Sequence, residues 1–214
     1  MRQMMERQID EFYYVTVMNE NYPQPSIVPG LSDQIIKGMY LLAVRGNETA
    51  KVKVQLLGSG AILREAIAAA DLLHRDFDIT SRIFSVTSFS ELARDARAAE
   101  RHNRLHPEQP PRASHLETCL DRGAPIIAAT DYVRAYPELI AAHVGRRYLA
   151  LGTDGFGRSD TRAVLREFFE VDRRHIAIAA IAELVREGVL DAGTQKAAIT
   201  RYSVNVEQAA PWMI

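Results

Sequence analysis

Residues 125–130, PIIAAT, are apolar through their middle and do not alternate with polar residues. A strand of that kind has no wet face and must be covered on both sides, which calls for helices above and below a sheet. The chain supplies such helices. Ile62, Ala66, Ala69, Ala70 and Leu73 recur at helical spacing, and so do Ile176, Ala179/Ala180, Ala182/Glu183 and Leu184. Between them lie further strand-like runs at 81–89 and 147–151. Strand and helix in alternation predict an α/β fold, a three-layer α/β/α arrangement on a mostly parallel sheet of about five strands.

The first strands of that sheet read differently. Ile35, Ile36 and residues 39–44 form one strand-like run, Gly46-Asn47 follows as a turn, and residues 51–57 form the next run. This pair reads as a hairpin, which adds one antiparallel edge strand. Residues 12–18, FYYVTVM, also favour a strand by their β-branched and aromatic content. They are cut off from the rest by Asn19, Glu20, Asn21, Tyr22, Pro23 and Pro25, with Pro29-Gly30 further on, so residues 19–30 read as a linker. The expected division is a remnant of a preceding domain plus linker at 1–30 and one domain at 31–214. Asp160 and Asp172 are the expected N-caps of two late helices, Thr194 the expected start of the last one, and Gly188 a C-cap.

Composition narrows the function classes. Lys+Arg is 26 against 27 Asp+Glu, a net charge of −1, without the basic excess of a nucleic-acid binder. Only Lys37, Lys51, Lys53 and Lys196 are lysines, and the other basic residues are arginine. No apolar run reaches the roughly 20 residues of a membrane helix. The single cysteine, Cys119, cannot close an intramolecular disulfide. The start has no signal-peptide core, so a cytoplasmic setting is expected.

Catalytic signatures are incomplete. Gly58-Ser59-Gly60 lies between a strand and a helix, where backbone amides can cradle phosphate. Leu63 stands where the dinucleotide fingerprint needs its third glycine. Residues 152–160, GTDGFGRSD, form the richest loop, but the spacing of Asp154 and Asp160 misses the calcium-loop pattern. No pair among His74, His102, His106, His115, His143 and His175 has zinc-site geometry, and His102 and His106 sit among arginines. His115 and Cys119 are one helical turn apart, a pairing that a buried neutral thiol explains as well as a reactive one. No Gly-x-Ser-x-Gly elbow is present.

Four stretches taken together carry a resemblance: FYYVTVMNENYP (12–23), VQLLGSG (54–60), SVTSFSELARD (85–95) and LGTDGFGRSDTR (151–162). In order and spacing they resemble the homodimeric type of pyruvate dehydrogenase first component, a thiamine-diphosphate-dependent decarboxylase. That resemblance implies the tail of a pyrimidine-binding domain followed by a transketolase-like C-terminal domain. It implies thiamine diphosphate and Mg²⁺ in the longer enzyme, with none expected on this chain alone. The family's diphosphate motif begins Gly-Asp-Gly and ends in asparagine, whereas Thr153-Asp154-Gly155 has no such asparagine after it. No catalytic, cofactor-binding or metal residue is therefore carried over.

What the resemblance implies for this chain is a non-catalytic part of an oxidoreductase acting on 2-oxo acids, inactive when alone. The implied partners are the remaining domains of the same polypeptide, a second copy in a homodimer, and the dihydrolipoyl acyltransferase core of the complex. Neither nucleic acid nor membrane is among them. Asn19, Glu20, Asn21, Tyr22, Asp154, Phe156, Arg158 and Asp160 are the candidate interface or active-site-support residues. The alternative is an independent α/β module that binds a small or regulatory ligand beyond the carboxyl ends of its strands, near Gly58–Gly60 and Asp131–Tyr132.

Overall fold

A computed structural model describes residues 2–13, 21–23 and 25–214. Two short helices come first, α1 (Arg2–Glu6) and α2 (Ser32–Ile36). The sheet is built from β1 (Met39–Arg45), β2 (Lys53–Ser59), β3 (Thr80–Val86), β4 (Ile126–Ala129) and β5 (Tyr148–Leu151), in the order β1-β3-β2-β4-β5. β3, β2, β4 and β5 run parallel, and β1 is antiparallel at the edge. The expected α/β sheet with one antiparallel edge strand is thus present.

Two expectations about its first strands are corrected. Ile35 and Ile36 belong to α2, not to β1. β1 does not form a hairpin with β2; it pairs with β3, Met39 opposite Val86 and Arg45 opposite Ser81. The reason lies in the connection. Residues 46–52 separate the two strands, far longer than the two-residue turn of a tight hairpin. The Asn47 amide donates to Thr80 Oγ1 at 3.0 Å, that hydroxyl donates back to the Asn47 carbonyl, and the Thr80 amide donates to the Val52 carbonyl. The connection thus passes across the start of β3 and leaves room for β3 between β1 and β2.

Helices α3 (Leu63–Phe77), α8 (Arg173–Arg186) and α9 (Ala192–Arg201) pack with one face of the sheet. α4 (Phe89–Leu105), α5 (His115–Cys119) and α6 (Ala135–Glu138) pack with the other. β4 shows why both faces are needed: Ile127 and Ala129 enter the first core and Ile126 and Ala128 the second. β2 at the centre likewise sends Val54 and Leu56 one way and Leu57 the other. Its buried Gln55 has its amide fully used, donating to the carbonyls of Asp121 and Ala124 and accepting from the Asp121 amide. Such satisfaction removes the cost of burying a polar side chain.

The caps refine the expected helix starts. Asp172 caps α8, accepting from the amides of Arg174 and His175 at 3.0 Å. The cap of α7 (Arg162–Phe168) is Thr161, whose hydroxyl accepts from the Val164 amide; Asp160 instead accepts from the Thr161 amide at 2.6 Å. Asp191 caps α9 by accepting from the Thr194 amide, so that helix begins at Ala192 rather than at Thr194. Gly188 follows the α8 cap with φ +73°, the left-handed geometry that ends helices. Between β4 and β5 the helical structure is broken: α6 is short, and a separate turn of 3₁₀ helix spans Ala141–His143. Of the strand expected at 12–18, residues 14–18 lie outside the described residues, and Phe12 and Tyr13 have no regular structure.

Candidate functional site

β2 and β4 are neighbours, yet the segments leaving them lead to helices on opposite faces. Such divergence opens a crevice beyond the carboxyl ends of a parallel sheet. The crevice here is a cleft of about 360 Å³. Ala61 follows β2 into it, Asp131 follows β4, and Thr153 follows β5; Arg158, Arg162 and Arg166 reach it from the last loop and α7. Thr153 Oγ1 donates to the Asp131 carbonyl at 3.1 Å, and Ser59 and Thr130 join hydroxyls at 3.1 Å. These bonds tie the three strand ends together.

The wall behind the cleft is an ion-pair cluster around Glu65, in the first turn of α3. Its side chain is 4% exposed. Arg173 grips it as a fork, Nε to Oε2 at 2.8 Å and Nη2 to Oε1 at 3.1 Å, and adds its backbone amide at 3.2 Å. Arg166 donates Nη1 to Oε1 at 3.2 Å. Burial alone would raise the Glu65 pKa. The hydrogen bonds and charge of Arg173, with the charge of Arg166, outweigh it and hold the carboxyl below its ordinary value. Arg166 also donates Nη2 to Tyr22 Oη at 3.2 Å, and Arg64 lies over the Tyr22 ring, 4.7 Å from its centre.

The sequence candidates divide accordingly. Asn19 and Glu20 lie outside the described residues, and Asn21 is exposed. Tyr22 is half-buried and docks on Arg64 and Arg166, next to the cleft. Asp154 is turned away from the cleft: Oδ1 accepts from the Arg134 amide at 3.0 Å and Oδ2 faces Arg134 Nε at 3.3 Å. Phe156 stands out from the surface, 81% exposed. Arg158 lines the cleft and stacks over Phe168, its guanidinium 5.1 Å from the ring centre. Asp160 is exposed beside the α7 cap. The structure thus brings Tyr22 and Arg158 to adjoining hollows that share Ala61.

Sequence reasoning passed over Glu65, Arg166 and Arg173. A signal for Glu65 existed: it falls on the apolar stripe of Ile62, Ala66, Ala69 and Leu73, where a charge needs a partner. Glu183 follows the same pattern on α8, buried and held by Arg147 and Arg186.

Asp154 does not fit a Mg²⁺-diphosphate site. Both its oxygens face an arginine, a neighbour that opposes a cation, and no group of three His, Cys, Asp or Glu with metal-holding geometry occurs among the described residues. His102 and His106 are stacked, ring centres 4.5 Å apart. Cys119 sits 3.5 Å from His115 Nε2, but that nitrogen is also 2.8 Å from the Met39 carbonyl, and burial pushes the thiol pKa up. A thiol so placed is not activated as a nucleophile. No helix among the described residues is long and apolar enough to cross a membrane.

Comparison with known proteins completes the site's context. Residues 38–172 match the family described as the transketolase-like TK C-terminal domain. The chain is 51% identical to the pyruvate dehydrogenase E1 component of Pseudomonas aeruginosa over 98% of its own length and 24% of the relative's. It is 46% identical to that of Cupriavidus necator, over 100% of this chain and 24% of the relative. The chain therefore spans about a quarter of the length of these relatives. Among solved structures, transketolase from Leishmania mexicana aligns with a TM-score of 0.49 and 19% identity, over 74% of this chain and 20% of that one.

Proposed function

From the premise that this chain belongs to the transketolase-like C-terminal domain family, we propose that it is the non-catalytic C-terminal part of a pyruvate dehydrogenase decarboxylating subunit. The observation that carries this reading is identity of 51% and 46% to E1 components, maintained along almost the whole chain. In the complete subunit, pyruvate would be decarboxylated and the acetyl group passed to lipoyl groups of an acyltransferase core. Thiamine diphosphate with Mg²⁺ would supply the carbanion chemistry there. The charged clusters of this chain hold its own elements together, in keeping with a supporting role. Residues 1–30 would then belong to the preceding domain and its linker, and residues 31–214 to the supporting domain.

The support has a physical form. Tyr22 is fastened to Arg64 and Arg166, so the linker leaves the domain at a fixed point. The loop 152–160 is anchored at Asp154 and presents Phe156 outward. An aromatic ring held out of a clamped loop is suited to bury against a second subunit, since its burial yields about 1.5–3 kcal/mol.

A chimera tests the reading. The matching segment of the Pseudomonas E1 component is replaced by this chain. Pyruvate decarboxylation within about tenfold of the parent, in a dimeric protein, is expected; a folded chimera without turnover refutes the proposal. The 214-residue chain alone, given pyruvate, thiamine diphosphate and Mg²⁺, is expected to show no turnover. Within the chimera, Phe156→Asp is expected to weaken dimerisation by about tenfold or more. An unchanged dimer constant in analytical ultracentrifugation removes the loop from the interface.

A further inference from the structure

The segments that follow β4 and β5 meet the C-terminal turn Pro211–Met213 in one exposed aromatic surface. Tyr132 and Tyr136 stand with ring centres 5.6 Å apart, and Tyr136 packs edge-on with buried Phe89, ring centres 6.0 Å apart. Arg134, between the two tyrosines in sequence, holds its guanidinium 5.3 Å from the centre of the Trp212 ring. Gly155, next to Phe156, is walled by the backbone of Pro211 and Trp212. Tyr132, Phe156 and Trp212 are 64%, 81% and 53% exposed. The backbone beneath them is tied down. The Thr153 amide donates to the Tyr132 carbonyl at 2.9 Å, and Arg134 Nε lies 3.3 Å from both Glu138 Oε1 and Asp154 Oδ2. Single exposed apolar residues are ordinary. Tyrosine, phenylalanine and tryptophan gathered in one patch have the composition of an interface centre, and rings on a fixed backbone lose little entropy on contact.

The charges beside the patch point to its occupant. Arg158 and Asp160 are exposed on the same loop as Phe156, and neither forms an ion pair with another described residue. A guanidinium and a carboxylate two positions apart are matched by the same loop turned end for end, whereas a partner of uniform charge would face one of them with its own sign. We infer that Tyr132, Tyr136, Phe156 and Trp212 form the apolar centre of a contact between two copies of this chain. A two-fold axis beside Ser159 sets Arg158 of each copy against Asp160 of the other. This contact rests on the supporting role just proposed, in which Phe156 already meets a second subunit, and gives that meeting its centre and its charge register.

Sedimentation equilibrium of the 214-residue chain tests it. A saturable monomer–dimer equilibrium, half-associated below about 100 µM, is expected. Tyr132→Ser is expected to weaken it about tenfold or more. Arg158→Asp and Asp160→Arg, both at exposed positions, should each weaken it about five- to tenfold by setting like charges face to face. An equimolar mixture of these two variants should dimerise nearly as well as the parent, because it restores both ion pairs of a two-fold contact. A chain that stays monomeric up to about 1 mM, or that grows into ever larger species without a plateau, overturns the inference. So does a dimer that Tyr132→Ser leaves unchanged, or a mixture no tighter than its components, provided circular dichroism shows the variants folded. If Tyr132→Ser fails to fold, the charge mixture decides alone. A monomeric chain alongside an active chimera gives the patch to another domain of the subunit, which refutes this contact and leaves the supporting role standing.

Discussion

Two glycine-rich connections leave the same end of the sheet, and they are built in opposite ways. At the end of β2, Gly58 in the strand and Gly60 just after it are both closed in. A Cβ on Gly58 would come within 2.7 Å of Leu63 Cα, and one on Gly60, at φ +58°, within 2.5 Å of Asp131 Oδ1. The chain enters α3 almost at once. After β5, residues 152–161 intervene before α7, and only the first part is closed. Gly152 is walled by the backbone of Tyr132 and Arg134, and Gly155 by that of Pro211, but Gly157 has nothing within 4 Å of its Cβ position. Glycine thus serves close packing in one connection, and both packing and open space in the other. The open half is the part that presents Phe156 and Arg158.

Substitutions can break this contrast. The largest effect is expected at Gly152→Ala, where the added methyl would lie 2.6 Å from the Arg134 amide nitrogen and 2.7 Å from the Tyr132 carbonyl oxygen. Both are backbone atoms, so the loop must shift, and a loss of about 3 kcal/mol is expected in urea unfolding. Gly58→Ala, against Leu63 Cα, should cost a similar amount. A loss under about 0.5 kcal/mol at both positions would show that these close contacts relax at little cost.

Next comes Glu65→Gln, which removes the charge that holds Arg166 and Arg173 behind the cleft. About 2 kcal/mol of stability is expected to go, since a buried partner of charged donors is only partly replaced by an amide. Differential scanning calorimetry measures it, and a neutral outcome would mean the two arginines find other partners.

The acid limb of stability gives a smaller, pH-gated effect. Burial would raise the Asp172 carboxyl, but hydrogen bonds from His175 and Arg174 with the charge of His175 lower it from 3.8 to about 2. The folded state then binds fewer protons than the unfolded one in that interval. The contribution is therefore complete above about pH 4 and is lost as pH falls toward about 2. Asp172→Asn is expected to flatten the urea midpoint against pH in that window. An unchanged slope would assign the acid sensitivity elsewhere. The smallest change is expected for Gly157→Ala, within about 0.5 kcal/mol, because the site is open.

How far the sequence foretold these features depends on how local the deciding interaction is. The apolar run around β4, the stripe on α8 and the Asp172 cap are set by neighbouring residues, and all stand in the structure. Thr161 and Asp160 are adjacent and both can cap, so only the geometry decides between them. The partner of β1 was not readable, because β3 lies beyond the whole of α3 in the chain. The cleft was readable only in part. Asp131 and Gly60 could be placed beyond the strand ends, whereas Arg158, Arg162 and Arg166 come from a segment whose path across the sheet no local pattern fixes. Glu65 was visible as a charge on an apolar stripe, but not the arginines that answer it, more than a hundred positions away.

The placement of β3 between β1 and β2 also sets a timetable. β1 is synthesised before β3, its partner in the sheet among the described residues, and in the folded sheet it has no pairing with β2. At translation rates of about 5–20 residues per second, Met39–Arg45 stands without its neighbour for seconds before Thr80–Val86 is made. Its open edge is then a surface for association between nascent chains. The edge strand of this domain thus waits, during synthesis, on the strand made third.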